Sequence, residues 1–148
     1  KKKKNVPFVK QLMSLASKSA NDNGQVRTIL GRICHFDLWE PTKWGVHKAL
    51  PRDEAIRKYG SNLKRAFIYK ALNKLIQGSA ADQTKKAMIE VYKAGIIPHI
   101  QVHDELNCSC LDDKQINMIK EIMENCIELE VPSKVDPKIG KSWGTIKS

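Results

Sequence analysis

Two adjacent carboxylates, Asp104 and Glu105, have the surroundings in this sequence that best suit metal chemistry. The flanking runs 99–103 and 106–110 alternate apolar and polar side chains, the period expected of β-strands. A tight connection between two such strands places the acidic pair at or near a hairpin turn. Magnesium prefers one or two carboxylates together with water and phosphate oxygens, so the pair can hold this ion beside a phosphorylated substrate. The alternative is an ordinary turn aspartate beside a solvated glutamate.

Histidines and cysteines surround the same hairpin and raise the question of zinc. His99, His103, Cys108 and Cys110 are the candidate ligands. Their C-x-C spacing lacks the paired C-x-x-C of structural zinc sites. Buried, reduced thiols account for the cysteines equally well. The spacing therefore favours free thiols, with zinc as the weaker alternative.

Charge is the strongest signal in the composition. The 148 residues suit one domain or a piece of a larger one. Lys and Arg number 26 against 16 Asp and Glu, and this net charge of +10 favours a polyanionic partner, foremost nucleic acid, over a generic basic surface. No apolar run approaches the roughly 20 residues that span a bilayer, and the lysine-rich start lacks a signal-peptide core. We expect a cytoplasmic protein with no membrane partner.

The first third of the chain predicts a helix followed by a hairpin. Apolar residues at helical spacing run from Val6 to about Ala20 and stop at the turn signal Asn21–Gly24. A strand over 25–30, a turn at Gly31–Arg32 and a returning strand over 33–38 follow.

The segment 39–61 is predicted to be irregular, apart from a short helix over 52–58. Its basic residues are interleaved with Trp39, Trp44 and Tyr59, a combination that can contact phosphates and stack on bases. The tryptophans can equally pin a surface loop to the body of the protein. The sequence leaves both interpretations open.

The longest helical pattern covers 62–94, with Gly78–Ser79 as a possible bend or break. Asn73 and Gln77 are four residues apart and share one face of such a helix, close to Lys70. This polar strip lies on a helix that is otherwise apolar enough to pack.

The last part of the chain predicts a further helix and a strand. Asp112–Asp113 reads as an N-cap for a helix over 114–129, and 131–135 as a strand. With the preceding elements, this predicts an α+β fold: a small antiparallel sheet around the carboxylate hairpin, packed by the long helix and the C-terminal helix.

Four segments in order resemble the C-terminal part of family A DNA polymerases. They are NGQVRTILGR, similar to the hairpin after the fingers; NKLIQGSAADQTKKAM, similar to the long palm helix; IQVHDEL, similar to motif C; and MENCIELEVPSKVDPKIGKSW, similar to the closing helix, strand and tail. The resemblance implies a palm subdomain that supports template-directed addition of deoxynucleotides to a primer.

The resemblance also implies residue roles. Asp104 matches the metal-binding aspartate of motif C, with Glu105 as accessory carboxylate, in a mechanism that uses two Mg²⁺ ions. Asn73, Gln77 and His103 match positions that touch the minor groove near the primer terminus, where every correct base pair presents acceptors. Without the resemblance, these residues would be helix-surface amides and a turn-stabilising imidazole.

Two further residues, Arg32 and Lys70, are expected to contact DNA. The sequence departs from the family at Tyr69, where bacterial members have an arginine, and 39–61 is longer than their connection. The DYSQIE motif with the second metal-binding aspartate and the fingers-helix motif RxxxKxxxFxxxYG do not occur in these residues.

We therefore expect a partial polymerase domain, with the end of the fingers, a connecting hairpin and a basic insertion in 1–61, and the palm in 62–148. Primer-template DNA, deoxynucleoside triphosphates and an N-terminal polymerase fragment or subunit are the expected partners. The chain alone should be inactive. A non-catalytic, basic DNA-binding module is the alternative. A metal-dependent nuclease is less supported, because no second carboxylate cluster is evident in the sequence.

Overall fold

The computed structural model describes residues 8–146 and divides between Ser79 and Ala80 into two compact units. The helices are α1 (Val9–Asn23), α2 (Arg52–Tyr59), α3 (Ala71–Lys93) and α4 (Asp113–Asn125). The strands are β1 (Gln25–Arg27), β2 (Ile33–His35), β3 (Leu38–Pro41), β4 (Leu50–Pro51), β5 (Leu63–Arg65), β6 (Pro98–Val102) and β7 (Glu105–Cys108). They form three small antiparallel sheets. The α+β fold class is confirmed, although the strands make three sheets where one was expected.

In the first unit, α1 ends where its sequence predicts. Asn23 is its last residue, and Gly24 follows in the left-handed conformation at φ +69°, which glycine adopts without steric cost. Residues 6 and 7 of the predicted helix lie outside the described residues. The buried faces of α1, the β1–β2 hairpin and the start of α3 share a small apolar core of Ala16, Ala20, Val26, Phe36 and Ala71.

The β1–β2 hairpin is confirmed, but its strands are shorter than predicted. Val26 pairs with Cys34, and the turn is closed by a 2.9 Å hydrogen bond from the Thr28 amide to the Arg32 carbonyl oxygen. Ile29 and Leu30 lie in the turn, half exposed, because the chain reverses before the apolar run ends. Apolar character alone therefore overestimated the length of the first strand.

The predictions for 39–61 and for the start of the long helix were wrong in part. Strands β3 and β4 lie in the segment predicted to be irregular, and β5 lies inside the predicted helix 62–94. The sheet order is β4-β3-β5, so pairing with β3 overrides the helical pattern of Leu63–Arg65. The helix α3 begins only at Ala71. The short helix α2 is confirmed at Arg52–Tyr59.

Gly78 does not break α3, which runs without interruption from Ala71 to Lys93, and its lack of a side chain allows close packing. A Cβ atom at Gly78 would lie 2.8 Å from the Thr28 Cγ2 atom, and Thr28 is buried. The Arg32 guanidinium donates a 2.8 Å hydrogen bond to the Gly78 carbonyl oxygen, and the Ile29 amide donates one of 3.0 Å to the Ser79 hydroxyl. The glycine lets the hairpin turn lie directly on the helix.

The second unit contains the remainder of α3, the β6–β7 hairpin and α4. Its buried apolar residues are Ala87, Val91, Ile96 and Ile127. The N-cap prediction for α4 is confirmed, since the Asp112 carboxylate accepts a 2.9 Å hydrogen bond from the Gln115 amide. The helix ends at Asn125, four residues before the predicted end.

The strand predicted over 131–135 was wrong. This segment pairs with no strand of the described chain, and its Val135 amide instead donates a 3.0 Å hydrogen bond to the Glu124 carboxylate of α4. A side chain of the helix thus takes the place of a partner strand.

Among residues 8–146, no helix combines the length and apolar character that crossing a bilayer requires.

Candidate metal and nucleic-acid site

The acidic pair lies at the tip of the β6–β7 hairpin. Val102 pairs with Glu105, so His103 and Asp104 are the two residues of the connecting turn. Glu105 is the first residue of β7 and not part of the turn itself. All three polar residues of the tip are exposed. A short, regular hairpin therefore presents two neighbouring carboxylates and an imidazole to whatever approaches the tip.

The turn has an unusual backbone conformation at His103. Its φ angle is +52°, a left-handed conformation that two-residue hairpin turns require but that glycine, asparagine or aspartate usually supply. For a residue with a Cβ atom, this conformation is less favourable than the right-handed one by about 1–2 kcal/mol. The Gln101 side-chain amide donates a hydrogen bond to the His103 carbonyl oxygen and so supports the turn. Residues held at strained backbone positions of this kind cluster at functional sites.

The donor set at the tip fits magnesium better than it fits a closed protein cage. Asp104 and Glu105 offer carboxylate oxygens, and in the part of the chain that the structure describes no group of three His, Cys, Asp or Glu residues is arranged to hold a metal ion. Magnesium commonly takes one or two carboxylates and completes its shell with water and phosphate oxygens. The hairpin can supply the protein share of such a shell.

The other residues considered for zinc have different surroundings. His99 Nε2 lies 3.0 Å from the Ser109 hydroxyl, in a contact that joins the two sides of the hairpin. Burial, and then the neighbouring Cys110, raise the pKa of the Cys108 thiol; burial, and then Asp112, raise the pKa of Cys110. Thiols with raised pKa values stay neutral at pH 7 and are weak nucleophiles and metal ligands.

The first unit holds the predicted DNA-contacting residues of α3. Asn73 and Gln77 are exposed, one helical turn apart. Lys74, between them, is bound to the β1–β2 hairpin: its ammonium donates a 3.2 Å hydrogen bond to the His35 carbonyl oxygen and lies 4.4 Å from the Phe36 ring centre. This contact attaches the first turns of α3, which carry the two amides, to the residues at the end of the β1–β2 hairpin.

Arg32 and Lys70 are also held by neighbours in the first unit. The Arg32 guanidinium is oriented by its bond to the Gly78 carbonyl oxygen, one residue after Gln77. The Lys70 ammonium lies 4.9 Å from the Phe67 ring centre and 5.7 Å from that of Tyr69. Both cations are thus positioned at defined places, on the turn and at the start of α3.

The first unit also has an open groove, with a volume of about 500 Å³, that local sequence patterns do not indicate. Lys18 of α1, Lys64 of β5 and Tyr69 meet there. Lys64 is paired with Glu40 at 3.4 Å. These residues are far apart in sequence, and only the excess of basic residues hinted at such a surface. The candidate residues therefore form two groups, one in each unit.

The family model described as DNA polymerase family A matches this sequence over residues 3–145. A DNA-directed DNA polymerase of Pseudomonas phage M6 is 41% identical over 139 residues, which cover 94% of this chain and 18% of that protein. DNA polymerase I of Caldicellulosiruptor bescii is 36% identical over 148 residues, covering 93% of this chain and 15% of that protein. The chain thus spans less than a fifth of the length of these two relatives.

A solved structure gives the same result. The POL domain of Pol1 from M. smegmatis, in complex with DNA primer-template and dNTP, superposes with a TM-score of 0.69 at 29% sequence identity. The match covers 95% of this chain and 23% of that one. Nearly all of the present fold is therefore similar to one part of a larger polymerase domain.

Proposed function

Since the chain belongs to DNA polymerase family A, we propose that it supplies the motif C part of the active site of a DNA-directed DNA polymerase. Its homologues are DNA-directed DNA polymerases, which are nucleotidyltransferases and generally metal-dependent. The observation that carries the proposal is the β6–β7 turn, where Asp104 and Glu105 are exposed at the tip of a hairpin. This is the arrangement that a carboxylate needs to reach a bound nucleotide and a primer end.

In this proposal each residue of the tip has a defined role. Asp104 would hold Mg²⁺, and Glu105 would serve as an accessory carboxylate. When bound, the metal lowers the pKa of the primer 3′-hydroxyl and stabilises the charge of the transferred phosphoryl group. His103, held in its left-handed conformation, would donate a hydrogen bond to the minor groove of the primer-terminal pair. The hairpin would thus hold these three side chains in fixed positions and supply the negative charge of the two carboxylates.

The active site needs a second carboxylate, which we propose comes from polypeptide outside these 148 residues. In the described chain, β6 and β7 pair only with each other, so each has an outer edge available for a further strand. Ile97 and Ile100 beside this edge are exposed, as expected for a surface that another segment covers.

We assign 1–61 to the end of the fingers, the connecting hairpin and the basic insertion, and 62–148 to the palm.

Primer extension tests this proposal. The chain alone should add no nucleotides, and mixing it with the N-terminal part of a polymerase that carries the second aspartate should restore extension in the presence of Mg²⁺ and all four deoxynucleoside triphosphates. Robust extension by the chain alone would contradict the shared site. Failure of the pair to extend, although a complex forms, would contradict the catalytic role.

We further expect Asn73→Ala and Gln77→Ala each to slow extension from a matched primer terminus by about tenfold in the assembled polymerase, the loss of one hydrogen bond of roughly 1.4 kcal/mol. Amide donors in the minor groove test the geometry of a base pair without reading its identity. Extension from a mispaired terminus should fall less, so fidelity should change. Single-turnover kinetics on matched and mispaired primers measures both.

The matched control for these variants is Asn117→Ala, which removes an exposed amide from α4. It should leave extension from either terminus unchanged. Equal rates for the Gln77 variant and the unmodified protein on matched primers would show that this amide does not contact the primer-terminal pair.

The net charge of +10 also supports a second candidate, a basic DNA-binding module without catalysis. Salt-dependent binding to duplex DNA is expected of either function. A loss of extension on removing the Asp104 carboxylate separates them, because a binding module has no use for it.

With relatives in a phage and in bacteria, we place the assembled enzyme in the bacterial cytoplasm, that of the host if a phage encodes it.

A further inference from the structure

The two tryptophans of the basic insertion have different surroundings. Trp39 of β3 is partly buried beside two arginines: the Arg65 guanidinium lies 4.6 Å from its ring centre and that of Arg52 lies 5.6 Å away. The ring of this indole is thus contacted by two of the protein's own cations. Trp39 thus packs within the first unit, against arginines of α2 and β5, and is less available than an exposed ring to stack on a ligand.

Trp44 has the opposite environment. It lies in the loop 42–49 between β3 and β4, and its relative exposure is 102%, as high as in an extended peptide. The next residue, Gly45, has a φ angle of +147°, which side-chain-bearing residues rarely adopt. Val46 is equally exposed, at 105%. The loop therefore holds a large aromatic ring in solvent.

The loop that carries Trp44 is attached at both ends. The Thr42 amide donates a 3.2 Å hydrogen bond to the Asn62 carbonyl oxygen. On the other side, His47 packs edge-on against Tyr59 of α2, with 5.7 Å between ring centres, and the Tyr59 hydroxyl donates a 3.2 Å hydrogen bond to the Lys48 carbonyl oxygen. These attachments limit how far Trp44 can withdraw from solvent.

Charge indicates what the exposed ring meets. Residues 38–65 contain seven Lys and Arg against three Asp and Glu. Lys43 and Lys48 lie in the loop itself and are exposed. One of the three acids, Glu40, is already paired with Lys64. An excess of exposed cations around an unpacked aromatic ring favours a polyanion with planar groups over an apolar protein surface.

We propose that the loop 42–49 binds single-stranded nucleic acid, with Trp44 stacked on an unpaired base and Lys43 and Lys48 on the flanking phosphates. Stacking of this kind accepts any base, because every base has a π face. A base inside a duplex has both faces covered, so the loop should prefer unpaired nucleotides. The binding does not depend on the motif C residues, so it can be tested separately from catalysis.

The test measures the affinity of the full chain for a fluorescein-labelled oligo(dT) by fluorescence anisotropy. Trp44→Ala should raise the dissociation constant about tenfold, the effect expected when one base–aromatic stack is removed. Trp44→Phe, which keeps a ring, should recover part of the affinity. The matched control is Val46→Ala, which shortens an equally exposed apolar side chain of the same loop and should change the affinity less than about twofold.

Salt dependence tests the two lysines. Replacing both Lys43 and Lys48 with glutamine should make the slope of log affinity against log salt concentration shallower by about 1.4, since each phosphate contact with a single strand contributes about 0.7. Circular dichroism of every variant should match that of the unmodified chain, because none of these side chains is buried.

Two outcomes would overturn the proposal. Unchanged oligo(dT) binding by the Trp44→Ala variant would show that the ring does not stack on bases, and would favour a protein partner for this surface. An equal loss of affinity for blunt-ended duplex and for oligo(dT) would show that the loop does not select unpaired nucleotides.

Discussion

Replacing Asp104 with asparagine is expected to lower the rate of primer extension by the assembled polymerase about a thousandfold, the equivalent of roughly 4 kcal/mol of transition-state stabilisation. The substitution keeps the size of the side chain and removes its charge. Because the residue is exposed in a two-residue turn, the hairpin should fold unchanged. The loss would therefore come from weaker metal binding at the reacting phosphate. Single-turnover extension at saturating primer-template and nucleotide measures it.

Two further substitutions calibrate this result. Glu105→Gln should cost only about tenfold, as expected of an accessory carboxylate whose ion is held mainly by its neighbour. Glu121→Gln removes an exposed acid from α4 and should have no effect. If the Asp104→Asn enzyme kept more than a tenth of the normal rate, the metal assignment at the hairpin tip would be wrong.

Arg65→Ala is expected to lower the free energy of unfolding by roughly 3 kcal/mol, more than any other substitution proposed for this chain. The Arg65 guanidinium donates hydrogen bonds of 3.0 Å to the Asn21 carbonyl oxygen and 2.9 Å to the Phe36 carbonyl oxygen, and it covers one face of Trp39. It thus joins the last turn of α1, the end of the β1–β2 hairpin and the β4-β3-β5 sheet. Alanine would leave both carbonyl oxygens without this donor.

Urea unfolding of the chain, followed by circular dichroism and tryptophan fluorescence, measures this loss. Lys64→Ala, on the same strand, is the matched control: it breaks only an exposed ion pair with Glu40 and should cost less than about 1 kcal/mol. Arg65→Lys should recover little, because an ammonium cannot reproduce the planar fork that reaches both oxygens. Equal midpoints for the Arg65→Ala and Lys64→Ala variants would refute the role assigned to Arg65.

Much of the fold follows from signals that act over a few residues. Gly24 ends α1, Asp112 caps α4, and the alternation on both sides of Asp104 predicts the β6–β7 hairpin; all are found. Each depends on backbone preferences or hydrogen bonds between near neighbours in the sequence, so no knowledge of the rest of the fold is needed. For the same reason, short motifs were enough to indicate the family.

Other features depend on contacts between distant parts of the chain. Because β5 pairs with β3, α3 starts at Ala71 and not at residue 62. Gly78, where the sequence allowed a bend or a break, lies in an unbroken helix and packs against Thr28. Neither partner is visible from local spacing, because strand pairing and packing are decided by residues that meet only after folding.

The tryptophans show the same division between local pattern and folded structure. Composition assigned Trp39 and Trp44 equally to stacking on bases or to pinning a loop. The Arg65 and Arg52 guanidinium groups lie close to the ring of Trp39, while Trp44 stays in solvent. The chemistry proposed for Asp104 and Glu105 follows from their residue type and a local turn. The choice between two identical side chains required the tertiary structure, because what distinguishes them is which cations pack against each ring.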